Sequence, residues 1–403
     1  MMLASRTDGP GEVGAVAGDP EPTERDDDAD AGCRVLRRAR VIHRRLAVLC
    51  VCGLVACGGD SQGSSESERS NGSSTVSEPA ASPPSSPSVT DGNAGSLAGD
   101  PGPGPTTLPG TDADWALVAE KVLWAVDQGY AELDIGDLIA RIGETFVGTP
   151  YAPYTLEAPG DEALVIELEE LDCVTFVENV LALARFVHMA PDNLTTTARP
   201  RSSDDQRAGN RGAGNGSDAN TGDPQRALFS GILQDIRYRG GVLGEYPSRL
   251  HYFSEWISDN DGMGLMRDLS RELGGVVDDE PIDFMTTHSD AYRQLGEDPS
   301  FLTELQQVEA RLNAEPRYFV PEDRIASVAE QIQDGDIIAA TSTVEGLDIA
   351  HTGIALWRNG RLHLLHAPLV DGVVGISEVP LAERILRMGG QDGVMVARPT
   401  KVR

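Results

Sequence analysis

Apolar positions recur at helical spacing in three segments of this sequence. Residues 115–128 and 135–146 are apolar at about every third or fourth position, which predicts two amphipathic helices. From Cys173 to Val187 the chain is apolar except at four polar positions. This pattern predicts a central helix that is buried on most of its surface.

A strand pattern replaces the helical one towards the C-terminus, where β-strands are predicted at 336–340, 373–379 and 393–398. Two further strand-like runs within 349–367 are joined by Asn359-Gly360, the strongest short signal for a β-hairpin. Together these segments predict a small antiparallel sheet. We expect the helix that begins at Cys173 to pack against it.

The hairpin places two of its three histidines on one face. If Asn-Gly is a two-residue turn, counting outward from it opposes Gly353 and His366. Opposed residues share a face, and faces alternate along a strand, so His351 shares the face of His366 whereas His363 points the other way. His351 and His366 are then diagonal neighbours within hydrogen-bonding reach, and Gly353 leaves room for an imidazole.

Cys173 is the only cysteine beyond the first sixty residues, and Asp172 before it is a natural N-cap of the predicted helix. The positive end of the helix dipole favours a thiolate there. With the histidine pair, this predicts a thiol hydrolase in which Cys173 attacks, His351 accepts and returns the proton, and His366 orients His351. The alternatives are an inert packed cysteine, and histidines that lie on the surface or bind zinc. The hairpin offers no third ligand at metal spacing, and neither a metal nor a cofactor is predicted.

The same residues carry a resemblance to a known superfamily. The sequence resembles the NlpC-type, papain-like cell-wall peptidases in the order of five motifs: GTPY at 148–151, DC at 172–173, DGDII at 334–338, HTGIA at 351–355 and LHA at 365–367. Segments 171–184, 236–241 and 248–256 resemble the N-acetylmuramoyl-L-alanine amidase branch. The resemblance covers roughly 114–400. Val174-Thr175 stands where the superfamily usually has Ser-Gly, which weakens the transfer of its commoner endopeptidase specificity.

By this resemblance the fold is α+β, a papain-like (NlpC-type) domain whose central nucleophile-bearing helix packs on a small antiparallel sheet. The implied reaction cleaves the amide between N-acetylmuramic acid and L-alanine, in peptidoglycan or in muropeptide fragments. The backbone N–H of Cys173 is the expected oxyanion donor. Two alternatives stay open: an L-alanyl-D-glutamate endopeptidase of the same superfamily, and a non-catalytic peptidoglycan-binding lipoprotein.

Cations and aromatic residues cluster between 237 and 256, a composition that suits a ligand of sugar and peptide. Arginine forks hold carboxylates, and aromatic faces stack on sugar rings. Phe253 and Trp256, spaced three apart, fit a helix core instead. The predicted substrate-binding residues are Arg239, Arg249, His251 and Tyr252, together with Tyr151, which lines the cleft in the resembling superfamily, and Asp172 beside the thiol.

A formal net charge of -31 argues against nucleic acid as a partner, because that partner needs a basic surface. Near the N-terminus, arginines precede the apolar run 46–56, which is too short to span a membrane. The run ends in Leu-Val-Ala-Cys and resembles a bacterial lipobox, so Cys57 is the expected lipidation site; an ordinary secretory signal is the alternative. Gly58 points towards the outer membrane. We expect a monomer, lipid-anchored on the periplasmic face of the cell envelope.

Composition divides the chain into three parts. Residues 1–57 form an N-terminal extension with a lipoprotein signal peptide, and residues 58–112 form a Ser/Gly/Pro-rich tether that is expected to be disordered. Residues 113–403 form the catalytic domain. An insertion at about 195–225 is expected to be a disordered surface loop, with a wall-contacting lid as the minor alternative. The predicted partners are peptidoglycan or muropeptides and a membrane.

Overall fold

The computed structural model describes residues 109–189 and 223–402. The predicted lipidation site Cys57 and the signal segment lie outside the described residues, as do most of the predicted tether and insertion. Within the described ranges, no helix is long and apolar enough to cross a membrane.

Helices and strands alternate irregularly along the described ranges. The α-helices are α1 (Asp112–Asp127), α2 (Ile135–Glu144), α3 (Cys173–Met189), α4 (Pro224–Arg237), α5 (Phe253–Gly262), α6 (Phe284–Thr287), α7 (Arg293–Glu297), α8 (Pro299–Ala314), α9 (Ile325–Val328) and α10 (Leu381–Arg387). The strands are β1 (Met266–Asp268), β2 (Val276–Asp278), β3 (Arg317–Pro321), β4 (Ile337–Ser342), β5 (Ile349–Arg358), β6 (Arg361–His366), β7 (Gly375–Ile376) and β8 (Gln391–Pro399).

The three predicted helices form, with small differences at their ends. Helix α1 starts at Asp112, ahead of the predicted start, because Thr111 and Asp114 close a capping box there. Helix α3 has almost no exposed surface, since every residue from Thr175 to Val187 is buried. It packs against α1, α2, α4 and β5. It is therefore the central helix that the apolar run predicts.

The strands form one antiparallel sheet in the order β2-β3-β8-β4-β5-β6-β7, with β1 also paired to β8. The predicted C-terminal strands make up its middle and one edge. The sheet is larger than predicted because β1, β2 and β3 join it. These strands have 3, 3 and 5 residues, which is too short for alternation to stand out in the sequence.

The β5–β6 hairpin has the predicted register. Asn359 and Gly360 have positive φ angles of 51° and 73°, as a type I′ turn requires. Arg358 pairs with Arg361, and the pairing continues outward without a slip. The two histidines are therefore carried to the same end of the same face.

Gly353 has a different explanation from the predicted one. A Cβ at this position would lie 2.7 Å from the carbonyl oxygen of Leu365 and 2.8 Å from Leu364 Cδ1. Glycine is thus needed for the close approach of β6 and its leucine side chain. Room for an imidazole does not account for it.

Helices cover both faces of the sheet. One apolar core lies between helices α1 to α5 and one face, and includes Phe176 and Ile354. The opposite face packs against α9 and α10 through residues such as Leu364 and Leu381. The architecture is α+β, and the start of α3 lies where the helical layer meets β5.

Candidate active site

Cys173 is the first residue of α3, and Asp172 caps the helix as predicted. One carboxylate oxygen of Asp172 accepts hydrogen bonds from the N–H groups of Val174 at 3.0 Å and Thr175 at 2.7 Å. In return, the Asp172 N–H donates to Thr175 Oγ1 at 2.9 Å. These reciprocal bonds fix the first turn, so the half-buried Cys173 is held at the positive end of the helix.

Strand β5 is tied to this helix start. Thr352 Oγ1 donates to the carbonyl oxygen of Cys173 at 2.7 Å. The register between β4 and β5 slips by one residue at Ala350, immediately before His351. Such a bulge bends a strand and re-aims the neighbouring side chains. Two consecutive residues of β5 therefore have different roles: Thr352 anchors the helix, and His351 lines the cleft.

His351 and His366 form the predicted pair. His351 Nε2 and His366 Nδ1 lie 2.7 Å apart, and the rings meet edge to face with their centroids 4.9 Å apart. Both side chains are buried. His363 points elsewhere, as predicted, and its Nδ1 lies 2.8 Å from the carbonyl oxygen of Ser377.

The surroundings keep both imidazoles neutral. Burial lowers the pKa of His351 well below its usual value, and His366 and Arg384 act in the same direction. Burial, helped by the positive charge of Arg384, lowers the pKa of His366 to about 3. A hydrogen bond between two neutral imidazoles has one donor and one acceptor nitrogen. The tautomer of each ring therefore fixes that of the other.

One cleft brings most of the predicted site residues together. Cys173 and His351 line it, with Tyr151 and Asp172 beside them. His366 does not line the cleft; it contacts His351 from behind. Cys173 and His351 at the cleft and His366 behind them thus follow one another from the cleft into the protein.

Arg249 also lines the cleft, but its guanidinium is occupied by internal partners. It donates to the carbonyl oxygen of Leu156 at 2.7 Å and to Glu157 at 2.5 Å, and its Nε lies 3.7 Å from Glu162. These carboxylates raise the pKa of Arg249 although burial opposes them. The guanidinium of Arg249, predicted to bind a substrate carboxylate, binds protein carboxylates here.

Tyr252 and Arg239 are bound internally as well. The Tyr252 hydroxyl donates to Glu309 at 2.7 Å, within the protein interior. Arg239 forms a two-pronged pair with Glu255 at 2.7 and 3.1 Å and donates to the carbonyl oxygen of Pro247 at 2.9 Å. Arg239 does not line the cleft, so the structure places it in the scaffold around the site.

His251 lines the cleft with a defined tautomer. Its Nε2 lies 2.9 Å from the carbonyl oxygen of Tyr246, which can only accept, so Nε2 carries the proton. Burial and the charge of Arg249 lower the pKa of His251 well below its usual value. The ring therefore keeps an unprotonated Nδ1 that can accept a hydrogen bond.

Sequence reasoning missed three charged residues of the cleft. Glu178 and Arg237 form a buried ion pair, with 2.7 Å between Oε2 and Nε, and both line the cleft. Burial raises the pKa of Glu178, and Arg237 opposes this shift. Asp348 accepts from the Ser254 N–H at 2.7 Å, at the start of α5. The available signals were a glutamate inside a mostly apolar helix and the place of Arg237 in the cation cluster.

Comparisons with known proteins show which family and which solved structures the chain resembles. A family model described as AmiA-like, N-acetylmuramoyl-L-alanine amidase-like, matches residues 141–202 and 217–390. No curated protein matches the chain significantly. A crystal structure of an N-acetylmuramoyl-L-alanine amidase from Bacteroides uniformis is 30% identical, covers 66% of this chain and 99% of its own, and has a TM-score of 0.56. A Bacteroides fragilis structure described as a candidate xylanase is 32% identical, covers 64% and 98%, and has a TM-score of 0.52.

Proposed function

The chain belongs to the N-acetylmuramoyl-L-alanine amidase-like family, and from this premise we propose that it is a cell-wall cysteine hydrolase. The bond cleaved is the amide between N-acetylmuramic acid and L-alanine, in peptidoglycan or in muropeptides released from it. The observation that carries the proposal is the 2.7 Å contact between His351 and His366, in a setting where His351 and Cys173 line the same cleft.

The tautomer of His351 makes it suitable as the general base. If its Nε2–H donates to His366 Nδ1, its own Nδ1 keeps a lone pair. That nitrogen takes the thiol proton while the sulfur of Cys173 attacks the carbonyl carbon of the lactyl group. The N–H of Cys173 stabilises the oxyanion. Collapse expels the amine of L-alanine, which takes the proton from His351, and leaves a thioester on the enzyme.

Water completes the cycle through the same residues. His351 Nδ1 removes a proton from water as its oxygen attacks the thioester, and the thiol leaves with that proton returned. His366 acts through His351: with a pKa of about 3 it stays an acceptor when His351 becomes an imidazolium. This is the orienting role that a third residue has in cysteine and serine hydrolases.

A papain-like architecture is part of the proposal. It is supported by a nucleophile at the start of the buried helix α3 and by a base on the antiparallel strand β5, which contacts that helix. Asp172 and Tyr151 line the cleft close to the thiol and are proposed to contact the substrate. Arg239 has no place in the proposed substrate contacts, because it does not line the cleft.

Export and anchoring rest on the sequence alone. We propose that Cys57 is lipidated and anchors the protein in the outer membrane, facing the periplasm, where its substrate lies. Labelling of cells with a radioactive fatty acid tests this. The wild-type chain should be labelled and Cys57→Ala should not, and equal labelling of both would refute the anchor.

Mass spectrometry of products tests the reaction. The purified protein is incubated with anhydro-N-acetylmuramoyl tripeptide or tetrapeptide, beside Cys173→Ala as the matched control. Release of a peptide with free L-alanine and an intact amino sugar, by the wild type alone, supports the amidase. A cut after L-alanine would assign an endopeptidase. Binding without any product would assign a non-catalytic wall-binding protein.

A further inference from the structure

Thr352 is the only hydroxyl residue of strand β5, and its side chain is 1% exposed. Valine would suit a buried strand position at least as well, because both residues are β-branched and differ mainly in the hydroxyl group. Burying a hydroxyl without a partner is unfavourable. Strand formation and packing therefore do not explain why this position carries a hydroxyl.

The partner of this hydroxyl is the residue that carries the thiol. Thr352 Oγ1 donates to the carbonyl oxygen of Cys173 at 2.7 Å. In an α-helix the same carbonyl can accept the N–H four residues ahead, because a carbonyl oxygen has two lone pairs. The bond from Thr352 is therefore an addition to the bonding of the helix itself, and it ties α3 to another element.

The path from the thiol to the base through this bond is short. Cys173 supplies both the thiol and the accepting carbonyl group. Strand β5 supplies the hydroxyl group and, one residue earlier, the imidazole of His351. Consecutive Cα atoms are about 3.8 Å apart, so a displacement of Thr352 is passed on to His351. The bond therefore sets the place of the base relative to the thiol.

The other contacts of the helix start constrain that placement less closely. Phe176 of α3 and Ile354 of β5 belong to the same apolar core, but hydrophobic packing has no preferred direction. The bonds between Asp172 and Thr175 shape the first turn and join residues of one segment. The bond from Thr352 is directional, and it joins the two elements that carry the thiol and the base.

We propose that Thr352 is a positioning residue, whose hydroxyl group holds the thiol of Cys173 and the imidazole of His351 in the alignment that proton transfer needs. The inference rests on the proposed function, in which Cys173 is the nucleophile and His351 is its base. Thr352 acts through Cys173 and needs no contact with the substrate. A displacement of about 1 Å between reacting groups can cost roughly 10²-fold in rate, so the loss of this one bond should be measurable.

A double-mutant cycle on the full chain tests the alignment without any substrate. Iodoacetamide is the alkylating agent, and mass spectrometry of the peptide that contains Cys173 gives the rate at neutral pH. We expect Thr352→Val to slow alkylation roughly tenfold in the wild-type background but less than about twofold beside His351→Ala, because a base that is absent cannot be misaligned. Thr352→Ser keeps the hydroxyl and should restore the rate. If Thr352→Val does not fold, Thr352→Ala takes its place.

Ser230→Ala is the matched control. The Ser230 hydroxyl is also buried and donates to a backbone carbonyl, that of Arg226, at 2.8 Å. Ser230 does not line the cleft. Its replacement removes the same kind of bond elsewhere in the fold and should leave the alkylation rate of Cys173 unchanged.

The outcomes separate the positioning role from the amidase proposal. Equal slowing in both backgrounds, or slowing in neither, would overturn the role of Thr352 and leave the amidase. With anhydro-N-acetylmuramoyl tripeptide as substrate, Thr352→Val should lower kcat roughly 10- to 10²-fold at nearly constant KM. A rise in KM at constant kcat would overturn positioning in favour of substrate contact. Coupling in the alkylation cycle, without cleavage by the wild type, would overturn the amidase and leave the positioning role.

Discussion

Two polar regions of the molecule border the same cleft and use their polar groups in opposite ways. The cysteine–histidine corner consists of Cys173, His351, Thr352 and His366. There, one ring nitrogen of His351 contacts His366, and His351 lines the cleft together with Cys173. Internal hydrogen bonds hold the corner from behind, and Cys173, His351 and Thr352 line the cleft.

The arginine segment, residues 237–252, is richer in charged and aromatic side chains than the corner. Its arginines, however, are already bound within the protein. Arg237, Arg239 and Arg249 each bind at least one protein carboxylate and one backbone carbonyl. A guanidinium with such partners is a brace between segments, and opening it to a ligand would leave buried acceptors unpaired. Residue type alone therefore does not separate binding from scaffolding; the partners of each polar atom do.

The sharpest separation is expected from Cys173→Ala. We expect kcat to fall by roughly 10⁴-fold or more, because no other group can form the thioester. The melting temperature should stay close to that of the wild type, since the half-buried side chain loses one sulfur atom. Steady-state kinetics and calorimetry measure both. Activity within tenfold of the wild type would show that Cys173 is not the nucleophile.

A buried brace of the arginine segment should behave in the reverse way. Glu178→Gln leaves Arg237 as a buried charge without its counter-ion, and we expect a loss of about 3–5 kcal/mol in the free energy of unfolding. Urea denaturation measures it, with kcat compared on the folded fraction. Replacing both residues by methionine is the control and should recover most of the loss. A loss below about 1 kcal/mol for Glu178→Gln would deny the pair its bracing role.

His366→Asn tests whether the second histidine orients the first. We expect kcat/KM to fall roughly 10²- to 10³-fold with KM little changed, because the base loses its fixed tautomer and not its contact with substrate. Kinetics at several pH values give the measurement. A rise in KM at constant kcat would instead place His366 in substrate binding.

The same variant has a pH signature of its own. The pKa of His366 in the folded protein is about 3, below the value of about 6.5 in an unfolded chain. The unfolded state therefore binds the proton first, and stability is lost as the pH falls from about 6.5 towards 3, by up to about 1.4 kcal/mol per pH unit. His366→Asn should flatten this loss. Equal loss of stability between pH 7 and pH 5 in both proteins would contradict the depressed pKa.

The corner was predictable because its signals are local. A cap followed by an apolar run locates Cys173, and an Asn-Gly turn sets the register that pairs His351 with His366. The arginine segment was not, because the carboxylate partners of two of its arginines lie far away in sequence: Glu178 is 59 positions from Arg237, and Glu157 is 92 positions from Arg249. The hydrophobic periodicity of the sequence does not indicate such contacts. The three short strands were missed because they are too short for alternation to stand out, and the bulge at Ala350 has no pattern of its own in the sequence.

We expect the smallest effect on stability and activity for Arg239→Ala. This variant tests how far the contrast between the corner and the arginine segment extends. Its side chain is 28% exposed in the pair with Glu255, so Arg239→Ala should cost about 1 kcal/mol or less of stability. Because Arg239 does not line the cleft, kcat/KM should stay within roughly twofold of the wild type. Chemical denaturation and kinetics on one substrate provide both values. A tenfold rise in KM would return Arg239 to substrate binding, and the arginine segment would then be a scaffold that opens towards its ligand.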